Sequence, residues 1–174
     1  MKKFAVFIQW LLFCILIAIV YGILHDQVTY SISPEYFIKF KYDQFGIKPE
    51  WFGGHRKAVA VIGFWATWWT GLYIGFGLSV TALIHSNASN MYTAIKKAVV
   101  LVFVITVITG FIGFLYGKLY LSNTDVDWWF PAHLTDKPSF IVVGTIHNFS
   151  YLGGLLGLIA GVIYIIWLKY KWRT

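Results

Sequence analysis

Four long apolar stretches alternate with polar segments along the chain. Uncharged and mostly apolar residues fill positions 4–24, 58–84, 98–117 and 140–168. A transmembrane helix needs about 20 such residues, so each stretch is long enough to cross a bilayer. The first stretch lacks the small-residue cleavage site of a signal peptide, and we expect it to remain as the first span. The pattern predicts an all-α fold, with one integral membrane domain over residues 1–174 built as a four-transmembrane-helix bundle.

Two long polar segments, residues 25–57 and 118–139, follow the first and the third span. Because successive spans alternate in direction, both segments form polar loops on the same side of the membrane, opposite the two termini. The 14 basic residues divide equally between the two sides. On the terminal side they are concentrated in short segments, and basic residues in short segments favour the cytoplasm. All 7 carboxylates fall on the other side. We therefore predict cytoplasmic termini and two outer loops.

The composition supports a membrane protein and argues against a nucleic-acid-binding one. Hydrophobic residues make up 59% of the chain and charged residues 12%, against roughly 45–50% and about 25% in soluble domains. The net charge of +7 is explained by the positive-inside rule, and no basic patch is interleaved with exposed aromatic residues. The single cysteine, Cys14, lies in an apolar run. We interpret it as a small side chain facing lipid or a neighbouring helix.

The loop after the first span contains several local signals. Pro34 ends any helix that enters from the first span and suits the first position of a new one, with Ser33 as its cap. Residues 38–43 alternate between apolar and polar side chains, which predicts either a short strand or an interfacial segment. Residues 43–46 have the composition of a turn, and a short helix is expected from Pro49.

Side chains with metal-binding chemistry are concentrated on the outer side of this topology. His25 and Asp26 follow the first span directly, and Glu35 lies in the same loop. His147 lies about two turns into the fourth span, roughly 10 Å below its outer start. A polar residue inside a span usually faces the bundle interior. We therefore expect a pocket in the outer leaflet, lined by these four residues and by Asn148.

Three interpretations of this pocket stay open. Imidazole with carboxylate suits Zn, Fe, Mn or Cu, so the candidate metal ligands are His25, Asp26, Glu35 and His147. This interpretation includes a metalloenzyme, in which Tyr36 and Tyr151 donate to a bound oxygen species. No HExxH or similar spacing is present, so a hydrogen-bonded clamp between the first and fourth helices is the alternative. A b-type haem held by the two histidines is a third interpretation with weaker support.

Glycines recur at four-residue spacing in the second and fourth spans, at Gly71 and Gly75 and at Gly153, Gly157 and Gly161. Such faces let helices approach closely, either inside the bundle or between separate proteins. The second possibility leads to another function hypothesis: an accessory or assembly subunit without a catalytic site, whose glycine faces and outer loops bind other membrane proteins, or a homo-oligomer formed through the glycine faces. No charged residue lies in the middle of a predicted span, which argues against active transport.

Three motifs are spread over nearly the whole chain. They are His25-Asp26-Gln27-Val28-Thr29 with Glu35-Tyr36-Phe37, then Trp65-Ala66-Thr67-Trp68-Trp69-x-Gly71, and then His147-x-x-Ser150-Tyr151-x-x-Gly154. Together they resemble a family of small, uncharacterised bacterial integral membrane proteins with four spans. The resemblance implies a multi-pass protein of the bacterial cytoplasmic membrane. It draws attention to the same histidines and carboxylates without assigning them an activity.

Overall fold

Four long helices dominate the computed structural model of the chain, which describes residues 2–172. They are α1 (Lys3–Ile32), α2 (His55–Ala82), α3 (Ala88–Leu119) and α4 (Lys137–Lys171). Each is long and apolar enough to cross a membrane. Within the described residues all regular secondary structure is helical. The predicted all-α bundle of four membrane-spanning helices is thereby confirmed.

Two of the helices extend well beyond the apolar stretches that predicted them. Helix α1 continues past position 24 to Ile32 and ends directly before Ser33 and Pro34, because nothing earlier in the segment breaks a helix. Helix α3 begins at Ala88 rather than near position 98, and the side chain of Asn87 caps it by accepting from the amide of Asn90 at 2.8 Å. The first extension matters most, since it places His25 and Asp26 on a helix.

Two tightly packed helix pairs, α1 with α2 and α3 with α4, make up the bundle. Glycines bring each pair into backbone contact. A Cβ added to Gly63 in α2 would lie 2.5 Å from the carbonyl oxygen of Gly22 in α1. A Cβ on Gly157 in α4 would lie 3.0 Å from Cα of Val102 in α3. The same close contact with a neighbouring helix occurs at Gly71, Gly75, Gly153 and Gly161. The glycine faces are therefore packing surfaces within the bundle.

The half of the bundle near the termini has a filled apolar core. All four helices contribute to it, with fully buried side chains at Val6, Leu78, Met91, Ile95 and Ile165. Cys14 is buried at the edge of this core, under the glycines of α2. Between membrane helices such close packing stabilises mainly through van der Waals contact. This core therefore holds the two helix pairs together at one end.

Both ends of the described chain lie at this same end of the bundle, which we call the terminal end. Lys3 Nζ donates to the carbonyl oxygen of Leu83 at 3.2 Å. The buried His85 ring lies 5.2 Å from the ring of Trp172, centroid to centroid, and burial lowers the pKa of this histidine. Residues 33–54 and 120–136 lie at the opposite end, the loop end. The predicted arrangement of two long loops opposite the termini is thus present.

The first long loop folds into short helical turns. Pro34 opens one, as predicted, and residues 37–41 form a π-helical turn, so the alternation over residues 38–43 does not produce a strand. The next turn ends at Gly46, whose φ of 62° suits a glycine. Pro49 opens a 3₁₀ turn, as predicted. The effect of these turns is to fold aromatic side chains back over the ends of α1 and α4.

Candidate metal centre

His25, Asp26 and His147 form a compact group near the loop end of the bundle. The first two are neighbours on the last two turns of α1, and His147 lies on α4. One potential ligand atom from each residue lies within 4.8 Å of the others. Among the described residues no other three such side chains form a comparable group. The structure therefore brings together three of the four residues predicted as metal ligands.

The carboxylate of Asp26 lies at the centre of this group. Its Oδ1 atom is 3.1 Å from Nδ1 of His25 and 3.2 Å from Nε2 of His147. Its Oδ2 atom is buried and has no hydrogen-bond partner within residues 2–172. The whole residue is 3% exposed. Because an unpaired buried carboxylate oxygen is costly, this atom is available for a cation or a donor that approaches it.

Hydrogen bonding determines which nitrogen of His147 carries a proton. Nδ1 of His147 lies 2.9 Å from the carbonyl oxygen of Val143, which accepts only, so Nδ1 must donate. In a neutral imidazole Nε2 then carries a lone pair, and this lone pair points at an acceptor, Oδ1 of Asp26. Two acceptors at 3.2 Å are held together by a cation between them, either a proton or a metal ion.

The contacts of His25 fit the same tautomer, with the proton on Nδ1. Its Nδ1 donates to Asp26, which leaves Nε2 as an acceptor for the hydroxyl of Ser150 at 3.2 Å. Ser150 in turn accepts from the hydroxyl of Tyr21 at 3.2 Å. Tyr21 lies one turn before His25 on α1, and Ser150 lies one turn after His147 on α4. Helical spacing could have identified Tyr21 and Ser150 as neighbours of the two histidines, but only once α1 was known to continue through His25.

An aromatic cap, defined as Tyr36, Phe37, Phe40 and Phe140, covers the group on the side of the loops. The ring of Tyr36 stacks on His147 with 5.0 Å between centroids and also contacts Phe140. Burial raises the pKa of the Tyr36 hydroxyl and lowers the pKa of the nearby Lys41 ammonium. Both directions indicate a layer from which water is largely removed. The cap separates the group from the aqueous phase at the loop end.

Glu35, the fourth predicted ligand, lies apart from the group. Its carboxylate pairs with Lys39 and accepts the backbone amides of Thr135 and Asp136, at 3.1 and 2.7 Å. The Lys39 contact, followed by these amides, lowers the pKa of Glu35 to about 2. Lys39 also donates to the carbonyl oxygen of His133. Glu35 therefore ties the second loop to the first rather than joining the histidines.

Other residues named from the sequence also lie outside the group. Asn148, expected to line the pocket, is exposed, because the inward-facing neighbour of His147 on α4 is Ser150. The hydroxyl of Tyr151 donates to the carbonyl oxygen of Ala66 at 3.2 Å. His55 is exposed and lies 3.0 Å from the hydroxyl of Tyr42, and His133 is exposed as well. Neither of these two histidines belongs to the group.

A cavity of about 490 Å³ extends from the group towards the middle of the bundle, between the two helix pairs. His25, Asp26, His147 and Ser150 line its polar end. The rest of its wall is mainly apolar, with aliphatic residues such as Ile17, Ile74 and Leu158 and aromatic residues such as Phe103. None of the cap residues lines it. The group is thus covered towards the loops and open towards the bundle interior.

Comparison of the chain with protein-family profiles, curated proteins and solved structures finds no match. The resemblance to four-span bacterial membrane proteins accordingly stays a prediction.

Proposed function

We propose that the protein is a metal-binding membrane protein whose His25, Asp26 and His147 bind a transition metal ion. The observation that carries the proposal is the orientation of His147, whose Nδ1–H is held by a backbone carbonyl while Nε2 faces a carboxylate oxygen. Metal-ligating histidines commonly donate their other ring N–H to a carbonyl or carboxylate in this way. The unpaired Oδ2 atom of Asp26 adds a further anionic ligand atom.

The donor set also restricts the metal. Two imidazoles and one carboxylate suit Zn, Fe, Mn or Cu rather than Ca or Mg, which prefer oxygen ligands. Three protein ligands leave at least one coordination position free, as in catalytic zinc sites rather than closed structural ones. The cavity adjoins the group, so a small ligand has space beside the ion. These features favour a site that handles a further molecule, as the site of a metalloenzyme does.

The two other hypotheses gain less support. A haem would have to lie between its two axial histidines, but the rings of His25 and His147 are in edge contact, with 4.7 Å between centroids, and share one carboxylate oxygen. The accessory-subunit hypothesis relied on glycine faces and outer loops, and the glycine faces are covered by neighbouring helices of the same chain. We further propose that the protein lies in a bacterial cytoplasmic membrane with its termini inside, which would place the site in the outer leaflet.

The direct test is metal analysis of the purified, full-length protein. The protein is stripped with a chelator, incubated separately with Zn²⁺, Fe²⁺, Mn²⁺ and Cu²⁺, desalted and assayed by mass spectrometry for bound metal. We expect about one ion per chain for at least one metal, and loss of that ion in His147→Ala. His133→Asn is the matched control, because this exposed histidine lies outside the group and Asn tolerates its φ of 57°.

Thermal unfolding of the same samples separates metal binding from a structural clamp. An ion that binds only the folded state stabilises it by about 2.7 kcal/mol at 100 times its Kd. The melting temperature of the wild type and of His133→Asn should therefore rise with added metal, and that of His147→Ala should not. A wild-type protein that takes up none of the four metals and does not respond to them in melting contradicts the proposal. The group would then be a protonated His–Asp clamp.

A further inference from the structure

The cavity beneath the metal-binding group has features of a ligand site. Its volume of about 490 Å³ lies in the range of pockets for small organic molecules, roughly 300–1,000 Å³. It is polar at one end and mainly apolar, with aliphatic and aromatic side chains, along the rest of its length. Pockets of this kind hold an apolar body by packing and fix its orientation through a few polar groups at one end.

Access to this cavity is from the bilayer. The aromatic cap covers the polar end towards the loops, and the filled core closes the terminal end. Between the helix pairs the wall includes Trp69, Tyr73 and Leu155, which are also exposed on the outside of the bundle. These three lie in the middle of α2 and α4, at the depth of the hydrocarbon. A molecule that enters there comes from lipid rather than from water.

The polar end indicates which head group would fit. Asp26 and Ser150 line the cavity, and Oδ2 of Asp26 is a buried acceptor without a donor. A ligand that offers an O–H group satisfies this acceptor, whereas an ester, an ether or a hydrocarbon cannot. We propose that the cavity binds a lipid-soluble molecule with a terminal hydroxyl group, an alcohol or a phenol, with the hydroxyl donating to Oδ2 of Asp26. The chain would lie along Ile17, Ile74 and Leu158. The proposal does not require a metal ion at the group.

Photolabelling of the metal-free protein in lipid nanodiscs tests whether the cavity binds such an alcohol or phenol. The probe is dodecanol with a photoreactive diazirine in the chain, and the comparison is the same diazirine in dodecane. We expect the alcohol to label cavity residues such as Ile74 and Leu158. The alkane should label them about tenfold less, because it lacks a hydrogen bond to a charged group. Competition by unlabelled dodecanol and by 4-decylphenol shows whether an alcohol or a phenol binds better.

A cavity-filling variant supplies the matched control. A Cβ on Gly154 would meet Cδ1 of Ile74 at 3.9 Å and no other nearby atom, so Gly154→Leu is sterically tolerated and extends into the cavity. It should abolish the labelling, while Ala5→Leu, on an exposed position of α1, should leave it unchanged. Equal labelling by alcohol and alkane, or labelling that persists in Gly154→Leu, overturns the proposal. If a variant fails to fold, the comparison of labelling by the alcohol and the alkane probe in the wild type decides the question without it.

Discussion

The two ends of the bundle differ in what occupies the space between the two helix pairs. At the terminal end, aliphatic side chains from all four helices fill the space between the helix pairs, with Leu78 and Ile95 fully buried. Towards the loop end the same space contains a cavity of about 490 Å³ and a group of buried polar side chains. A void and a buried carboxylate are both costly. Their presence together supports the proposal that the loop half serves binding, while the filled core of the terminal half holds the helix pairs together.

Glycines illustrate the same difference. Gly63 lies where α1 and α2 meet backbone to backbone, and an added Cβ would come within 2.5 Å of a carbonyl oxygen. Gly154 lies on the cavity wall, where the nearest atom would be 3.9 Å away. The sequence alone cannot separate these roles, because both residues are glycines within an apolar span. The comparison predicts very different responses to the same kind of substitution.

The largest effect is expected for Gly63→Val. The added side chain meets backbone atoms of Gly22 and Ile23, which cannot move without separating the two helices. Overpacking in a tight contact costs about 1–3 kcal/mol and sometimes more, and here we expect more than about 3 kcal/mol. Unfolding in mixed detergent micelles, followed by circular dichroism, measures the loss. Gly154→Ala is the control and should stay within about 1 kcal/mol of the wild type. Similar losses in both variants would contradict the assignment of the two roles.

A smaller effect should distinguish two leucines. Leu78→Ala removes a fully buried side chain from the filled core and should cost about 3 kcal/mol. Leu158→Ala shortens a partly exposed side chain that lines the existing cavity, so fewer contacts are lost and we expect about 1 kcal/mol. The same unfolding experiment compares them. If Leu158→Ala is as costly as Leu78→Ala, the cavity is collapsed in the folded protein and the contrast between the two halves fails.

The carboxylate of Asp26 offers a test of what holds the polar group together. Asp26→Asn keeps the shape of the side chain but removes the negative charge. With metal present, the variant should lack the ion-dependent stabilisation, about 2.7 kcal/mol at 100 times the Kd. Without metal it should stay within about 1 kcal/mol of the wild type, since an amide can donate to Nε2 of His147 after a small rotation. A large loss without metal would indicate a clamp between a carboxylate and a protonated imidazole instead.

Sequence reasoning predicted the fold better than the site. Four spans follow from hydrophobic length alone, and Pro34 marks the end of α1 because proline blocks helix continuation. Hydropathy falls at His25, however, and the helix does not end there. Its backbone hydrogen bonds continue, and its polar side chains turn into the bundle. That continuation puts Tyr21 and His25 on one face, which a loop assignment could not reveal.

Glu35 shows the opposite limitation. It is close to Asp26 in the sequence and has suitable chemistry for a ligand, but the chain turns at Ser33 and Pro34 and directs its carboxylate towards the second loop. The contact with Thr135 and Asp136 spans about a hundred residues and has no local signature. Proximity along the chain therefore suggested a ligand where the fold has a loop contact.

The smallest effect is expected for Glu35→Gln, because the Glu35 carboxylate lies at the surface and its contacts are confined to the loops. Lys39, followed by the backbone amide of Asp136, lowers its pKa to about 2 from an ordinary value of 4.5. The folded state thus favours the ionised form, and the resulting stabilisation is fully present above about pH 4.5 and declines as the pH falls towards 2. The melting temperature of the wild type should exceed that of Glu35→Gln at pH 7, and the difference should vanish towards pH 2.

Glu50→Gln, which alters an exposed carboxylate in the other part of the same loop, serves as the matched control and should melt like the wild type at pH 7. Limited proteolysis gives a second measurement, since Glu35→Gln should make residues 120–136 more susceptible at pH 7 without changing metal uptake. If Glu35→Gln instead loses the bound ion while the loop stays protected, Glu35 reaches the metal in the loaded protein. Glu35 would then belong to the metal ligands rather than to the contact between the two loops.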